Sequence, residues 1–339
     1  MRYIIIFILN SLFISKSFSL QIESTNIYVN SNEEINLRIL SSTDIEVFSP
    51  ILKKFSESNK NISIEYIVAS TADIYDEIKN NRDSRFDLVM SSAMDLQIKL
   101  ANDGYAKNID VSNKQTMPNW SLWQDKVIGL SLEPIVMVFS KKDVKNIPNT
   151  RSDLISILRA NSNYFNNRII TYDINKSGAG FLFASQDARQ SNSFWRLSEL
   201  MGSLNAKVVC CSRDMLNSII SRDKFIAYNI IGSYAEERAK SEKNLLIVYP
   251  SDYTLILLRS ALIPITSKND SNALSFLNFL LSSTGQNFLE KKGMYSVYNK
   301  KIIQQGNIRP IRLDTGLLVF LDKLKRKRFL KEWNETIFQ

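Results

Sequence analysis

Ile35-Asn36-Leu37-Arg38-Ile39-Leu40 is a β-rich run that ends in Ser41-Ser42-Thr43, after which Ile45, Phe48, Ile51, Leu52 and Phe55 recur at helical spacing. The same unit then repeats. Ile62 to Val68 reads as a second strand that ends in Ser70-Thr71 before a helix through Ile74 and Ile78. Phe86 to Met90 reads as a third, ending in Ser91-Ser92 before a helix carrying Met94, Ile98, Leu100 and Ala101. Strand-helix units in this succession predict an α/β fold with a mostly parallel sheet flanked by helices.

The rhythm breaks between Lys126 and Ser140, a long β-rich stretch containing Glu133-Pro134. We read it as the crossing into a second lobe. That lobe is expected to hold a helix at 151–160, strand 168–172, helices at 181–186 and 194–200, strand 207–211, helix 215–220 and strands 225–231 and 245–249. The β-rich stretch from Tyr253 to Ile265 carries the chain back, helices near 273–281 and 285–289 cover the first lobe, and a final helix from about 316 to 333 is placed to brace both. The boundaries that follow are 20–134 with 255–339 for the first lobe and 135–254 for the second. A chain of 339 residues exceeds what one growing core supports, which also favours two lobes.

The first nineteen residues read as a leader. Met1-Arg2 is a positive start, Ile4 to Ile14 is apolar, and Ser17-Phe18-Ser19 places small residues where signal peptidase reads. The apolar run is well short of the roughly 20 residues that a spanning helix needs. A cleaved signal and a periplasmic location are therefore expected. No Cys stands near the cleavage point to suggest a lipid anchor.

The sequence contains no histidine. That removes Ser-His-Asp and Cys-His catalysis, His-metal ligation and the common near-neutral proton shuttle. No Walker-type phosphate loop or Gly-rich dinucleotide fingerprint is present among only 10 glycines. An enzyme and a cofactor are accordingly not expected. Cys210 and Cys211 are adjacent; ordinary disulfide geometry is closed to neighbours, so they read as two strand residues on opposite faces.

The formal charge is +9. Part of it is local, because Lys323, Lys325, Arg326, Lys327 and Arg328 cluster near the C-terminus. A solvated helix face accounts for the cluster, with an anionic membrane surface or an anionic ligand as the other readings. An exported chain rarely meets nucleic acid, so none is expected as a partner.

The three hydroxyl-ending junctions of the first lobe each place an acid three residues after a hydroxyl: Thr43 with Glu46, Ser70 with Asp73, Ser92 with Asp95. Helix capping alone accounts for each. Their shared place at the carboxyl ends of parallel strands, where helix N–H groups point outward, is also where such sheets bind ligands. The second lobe offers Ser177-Gly178-Ala179-Gly180 after strand 168–172, small residues that let a ligand oxygen approach backbone N–H groups. Tyr228-Asn229 and Gly232-Ser233-Tyr234 end another second-lobe strand and would face the same cleft. The candidate ligand-binding residues are therefore Ser41, Ser42, Thr43, Ser70, Thr71, Ser91, Ser92, Glu133, Ser177, Gly178, Ala179, Gly180, Tyr228, Asn229, Ser233 and Tyr234.

With these residues the chain resembles the ferric-ion type of periplasmic solute-binding protein, and among its members those that bind phosphorylated sugars or phosphoglycerate. The resemblance spans the chain beyond the leader. It rests on Ser91-Ser92-Ala93-Met94-Asp95-Leu96-Gln97, on Thr171-Tyr172-Asp173 through Ser177-Gly178-Ala179-Gly180-Phe181, and on Ala227-Tyr228-Asn229-Ile230-Ile231-Gly232-Ser233-Tyr234. Arg309-Pro310-Ile311-Arg312 with Gly316-Leu317-Leu318 adds to it. It implies a two-lobed periplasmic binding protein of type II, with two β-strand hinge crossings, that closes on a small ligand and delivers it as a monomer to an ABC permease. Some relatives instead serve a membrane sensor kinase, and that role stays open.

The family's ferric members usually present two consecutive tyrosines after the second-lobe strand, often with a His and an acid. Here that place reads Gly232-Ser233-Tyr234, so Tyr234 alone matches. The anion-contacting Ser-Gly-Ala of the family is intact at Ser177, Gly178 and Ala179. The expected ligand is therefore a small organic anion, a phosphate ester, with ferric ion through Tyr234 as the alternative.

Overall fold

The computed structural model of the chain describes residues 20–30, 34–112 and 114–339, and the expected leader lies outside them. The first lobe opens with β1 (Ile22–Tyr28), β2 (Leu37–Ser41), α1 (Ile45–Ser58), β3 (Ile64–Ala69), α2 (Thr71–Asn80), β4 (Leu88–Ser91) and α3 (Met94–Asn102). β5 (Leu122–Trp123) then leads into the long β6 (Val127–Ser140). The second lobe follows with α4 (Arg151–Ala160), α5 (Ser162–Phe165), β7 (Ile169–Tyr172), α6 (Gly178–Gln190) and α7 (Ser193–Ser203). It continues through β8 (Lys207–Val209), α8 (Ser212–Ile220), β9 (Ile226–Ile231), α9 (Gly232–Ala239) and β10 (Leu245–Val248). β11 (Thr254–Leu262), α10 (Asp270–Leu281), α11 (Ser283–Lys291), β12 (Tyr295–Ser296), α12 (Lys300–Ile303) and β13 (Ile308–Pro310) rejoin the first lobe, and α13 (Lys323–Ile337) ends the chain.

In the first lobe the strand order is β1-β3-β2-β4-β11-β6, with β2, β3 and β4 parallel and β11 antiparallel to both of its neighbours. In the second, β9, β7 and β8 are parallel, while β6 runs antiparallel to β9 and β10. β6 joins the two sheets. Its residues Ile128 to Pro134 pair with β11, and Ile135 to Phe139 pair with β9. Every residue of β6 is buried, as a strand covered on both faces requires.

Each lobe has its own aromatic packing. Phe48 of α1 stacks on Tyr66 of β3 with ring centroids 5.7 Å apart, and Phe55 meets Phe276 of α10 edge-on at 4.9 Å. Full burial of such side chains contributes about 1.5–3 kcal/mol each. In the second lobe Phe329 of α13 packs on Phe181, Phe194 and Trp195.

The structure corrects two expectations and adds a strand. The helix expected over 316–333 is broken: Thr315–Leu321 is a 3-10 segment, Asp322 caps a new start, and α13 runs from Lys323 and lies on α7 of the second lobe. β8 stops at Val209, so Cys210 and Cys211 sit in the bend before α8 rather than alternating across a strand, and they are joined as a disulfide. β1 carries no clear strand signal in the sequence, because Ser24-Thr25-Asn26 interrupt its apolar pattern; it is an edge strand held antiparallel to β3.

Candidate ligand-binding cleft

Between the lobes lies a cleft of about 320 Å³. Glu23, Ser42, Asp44, Ala69, Ser70, Thr71 and Ser92 form its first-lobe wall. Tyr172, Lys176, Ser177, Ala179, residues 210–214, Ile231 and Tyr234 form the opposite one. Both walls are built at strand-to-helix junctions, where the backbone turns outward from the sheet. Of the sequence candidates, Ser42, Ser70, Thr71, Ser92, Ser177, Ala179 and Tyr234 line it.

The other candidates lie behind the walls. The hydroxyls of Ser41 and Ser91 accept the N–H of Thr43 and Ala93, each at 3.1 Å, and so shape the two junctions. Only one of the three expected capping arrangements forms. Ser70 Oγ accepts the Asp73 N–H at 3.1 Å, while α1 and α3 start at Asp44 and Ala93 without a side-chain cap. That leaves Ser42 and Ser92 turned to the cleft, where Ser42 Oγ accepts the Ser92 N–H at 3.0 Å.

Thr43, Glu133 and Ser233 belong to a buried hinge network. Arg259 of β11 donates to Glu133 of β6 at 2.6 and 3.1 Å and to Thr43 Oγ1 at 2.5 Å, while the Ser233 hydroxyl donates to Glu133 from the second lobe. Tyr228 and Asn229 donate to the buried Asp187 at 2.9 and 2.7 Å, beside Arg151, which donates to Tyr228 Oη at 2.7 Å. Burial of these charges requires such pairing, and both networks hold the walls without reaching the cleft.

The glycine stretch behaves differently from the sequence expectation. Gly180 N–H is taken by Ser177 Oγ at 3.1 Å, as a cap. Gly178 and Ala179 donate their N–H groups to Thr71 Oγ1 at 3.0 and 3.3 Å. The donors offered to a ligand oxygen are thus engaged by the facing lobe. Tyr234 also spans the cleft, donating to Ser42 O at 3.3 Å and accepting the Asp44 N–H at 3.4 Å.

Several cleft residues were not among the candidates. Arg213, in the first turn of α8, grips the Asp44 carboxylate through two N–H groups, one of them at 3.0 Å, and lies 3.8 Å from Glu23. The hydrogen bonds to Asp44 hold its guanidinium above its ordinary pKa, and burial raises the Glu23 carboxyl. Tyr172 shares a 2.6 Å hydrogen bond with Ser212. Burial pushes the phenols of Tyr172 and Tyr234 far up, so both stand as neutral hydroxyls. The signal for Arg213 and Ser212 was present in kind: they open a helix after a parallel strand, as Ser177 does.

The charged lining is mixed, with Lys176 and Arg213 facing Glu23 and Asp44, and with Asp214 on the cations' own wall. Among the described residues, the one set of Cys and acid groups close enough to share a metal ion is Cys210, Cys211 and Asp214, and its two sulfurs are bonded to each other. What the cleft presents is a dense array of hydroxyls, two cations and two acceptor carboxylates on the facing wall. That set suits a small polar ligand with an anionic end.

The model of a family described as bacterial extracellular solute-binding protein matches residues 37–295. No curated protein sequence matches the chain. Among solved structures, the substrate-binding protein of an ABC transporter from Agrobacterium tumefaciens is 31% identical, with a TM-score of 0.89 over 94% of this chain and 99% of that one. The periplasmic binding protein AfuA from Actinobacillus pleuropneumoniae, solved with fructose-6-phosphate, is similar in fold at 17% identity and a TM-score of 0.71, over 90% of this chain and 99% of AfuA. The ferric binding protein from Campylobacter jejuni is similar in fold at 16% identity and a TM-score of 0.65, over 89% and 100%.

Proposed function

The chain belongs to the bacterial extracellular solute-binding protein family, and on that premise we propose that it captures a phosphate ester in the cleft and delivers it to an ABC permease. One juxtaposition carries this reading: Arg213 and Lys176 share a single cleft with the hydroxyls of Ser42, Ser70, Thr71, Ser92, Ser177 and Ser212. A planar guanidinium suits phosphate oxygens bidentately, and charge-assisted hydrogen bonds from the surrounding donors add to it. Asp44, freed from Arg213 when the phosphate arrives, and Glu23 accept the hydroxyls at the other end of the ligand. A phosphate ester with hydroxyls thus engages both walls at once, its phosphate on the cations and its hydroxyls on the carboxylates.

Native mass spectrometry of protein purified from its host compartment tests this directly. The expected result is a retained small molecule whose fragmentation releases phosphate and whose remainder carries hydroxyls. A retained neutral sugar, or an organic cation without phosphorus, would remove the phosphate-ester reading. Arg213→Met is then expected to weaken the recovered ligand about 10-fold or more in calorimetry, the size of one lost charge-assisted hydrogen bond.

Ferric ion is the second reading, supported by two cleft tyrosines, Tyr172 and Tyr234, beside Asp44. Both phenols are buried, hydrogen-bonded and held in the neutral form, which opposes the phenolate that ferric ion prefers. Protein mixed with ferric citrate is therefore expected to develop no intense visible charge-transfer band. A strong band that disappears in both Tyr172→Phe and Tyr234→Phe would replace the phosphate-ester reading with iron.

A further inference from the structure

The C-terminal helix carries a charge pattern that its own local physics disfavours. From Lys323 to Lys331 it holds Lys323, Lys325, Arg326, Lys327, Arg328 and Lys331 and no acid. These cations crowd the N-terminal half, where the helix dipole favours carboxylates, and no acid occupies the first turn. Lys323, Lys327 and Lys331 also recur at four-residue spacing, where like charges repel. The helix forms because Asp322 caps it, accepting the N–H of Leu324 and Lys325 at 3.2 and 3.1 Å, and because Phe329, Trp333 and Ile337 bury its inner stripe.

The opposite face is unpartnered. Arg326 turns inward to stack over Phe181 at 4.2 Å. Lys323, Lys325, Lys327 and Arg328 are exposed, and none has a carboxylate within ion-pair distance among the described residues; Lys331 alone reaches Glu335, at 3.7 Å. In their midst Leu324 is 77% exposed. By helical spacing Leu324 shares its face with Lys327, Arg328 and Lys331.

We propose that this face docks on a bilayer surface rich in anionic phospholipid, with the cations at headgroup phosphates and Leu324 entering the headgroup layer. One exposed leucine among cations on a single helix face is the amphipathic pattern of an interfacial helix. Each cation near such a surface strengthens attachment about fivefold. The inference concerns α13 alone and stands or falls separately from the ligand assigned to the cleft.

The test is sedimentation of the purified protein with vesicles of phosphatidylcholine alone or containing phosphatidylglycerol. Phosphatidylglycerol vesicles are expected to carry the protein down at about 50 mM salt and release it at about 500 mM, as screening shortens the reach of the charges. Pure phosphatidylcholine vesicles are expected to leave it in solution. Lys325→Glu combined with Lys327→Glu and Arg328→Glu should lower vesicle affinity about 100-fold or more, and Leu324→Ser should lower it several-fold; thermal unfolding should not fall, because all four side chains are exposed and acids in the N-terminal half suit the helix dipole. Vesicle binding that is absent, or unaltered in the triple variant, would overturn the proposal. So would binding that Leu324→Ser leaves unchanged and soluble polyphosphate competes fully, since the face would then be a general anion binder.

Discussion

Gly178→Val is expected to weaken binding of the recovered ligand about 100-fold, close to 3 kcal/mol, while both lobes stay folded. A Cβ at position 178 would come 2.8 Å from Leu96 Cδ1, 2.9 Å from Thr71 Oγ1 and 3.3 Å from Ala93 Cβ, and all three belong to the facing lobe. Nothing within its own lobe comes as near. Gly178 does not sit in the left-handed region, so its backbone accepts a β-branched residue, and the cost falls on bringing the lobes together. Valine also separates Thr71 Oγ1 from the two N–H groups it accepts, each bond contributing about 1 kcal/mol. Thr71→Val is the milder control: it removes the two hydrogen bonds without the clash, and about a 10-fold loss is expected. Solution scattering checks the mechanism, because wild-type protein should contract when ligand is added and Gly178→Val should not. Full affinity and normal contraction in Gly178→Val would mean that the liganded lobes do not meet through α6, α2 and α3 as they do here.

The importance of Gly178 was legible in the sequence, but the reason was not. Small residues opening a helix after a strand mark a place of close approach, and from sequence alone that approach belongs to a ligand oxygen. The approaching group in the structure is a threonine hydroxyl from a helix start more than a hundred residues earlier, and no local pattern pairs two helix starts across a cleft. The hydroxyl rim shows the same division. Ser42, Ser70 and Ser92 face the cleft, yet their neighbours Ser41, Thr43 and Ser91 have the same composition and point the other way, because a strand alternates its faces and the turn after it fixes which hydroxyl is spent on the backbone. Glu133 and Ser233 carry a real signal of a special site, an acid in a long β-rich crossing and a hydroxyl at a helix start after a strand. Arg259 claims Glu133, and Glu133 in turn claims the Ser233 hydroxyl, pairings that no motif indicates. Arg213 opens a helix after a strand, but nothing local pairs it with Asp44, an ordinary surface residue type until the fold brings the two together. The parallel α/β architecture itself was readable because burial on both faces writes continuous apolar strands into the sequence; β1, exposed and polar in its middle, lacked that mark.

Asp95 supplies the largest expected effect on stability, and it works through pH. The side chain lies in the first turn of α3, is 2% exposed, and has one carboxyl oxygen, Oδ1, without a hydrogen-bond partner. Burial pushes its pKa up to about 7, against backbone hydrogen bonds and the charge of Arg326, which pull it down. The folded value therefore lies above the unfolded one near 3.8, and folding takes up a proton between them. The stability tied to the neutral carboxyl is fully present below about pH 4, is lost as pH rises toward 7, and stays lost above that. A gap of about 3 pH units corresponds to about 4 kcal/mol at most. Asp95→Asn keeps the shape and removes the charge, at the risk of burying an unpaired amide hydrogen that costs about 1–3 kcal/mol. The expected result is a variant about 2 kcal/mol more stable than wild type at pH 8 and no more stable at pH 4, with a flatter stability profile between. Denaturant unfolding at a series of pH values measures this. If the variant kept the wild-type slope from pH 4 to 7, the pH dependence would have to come from a different group, and the unpartnered oxygen of Asp95 would have to be solvated by buried water.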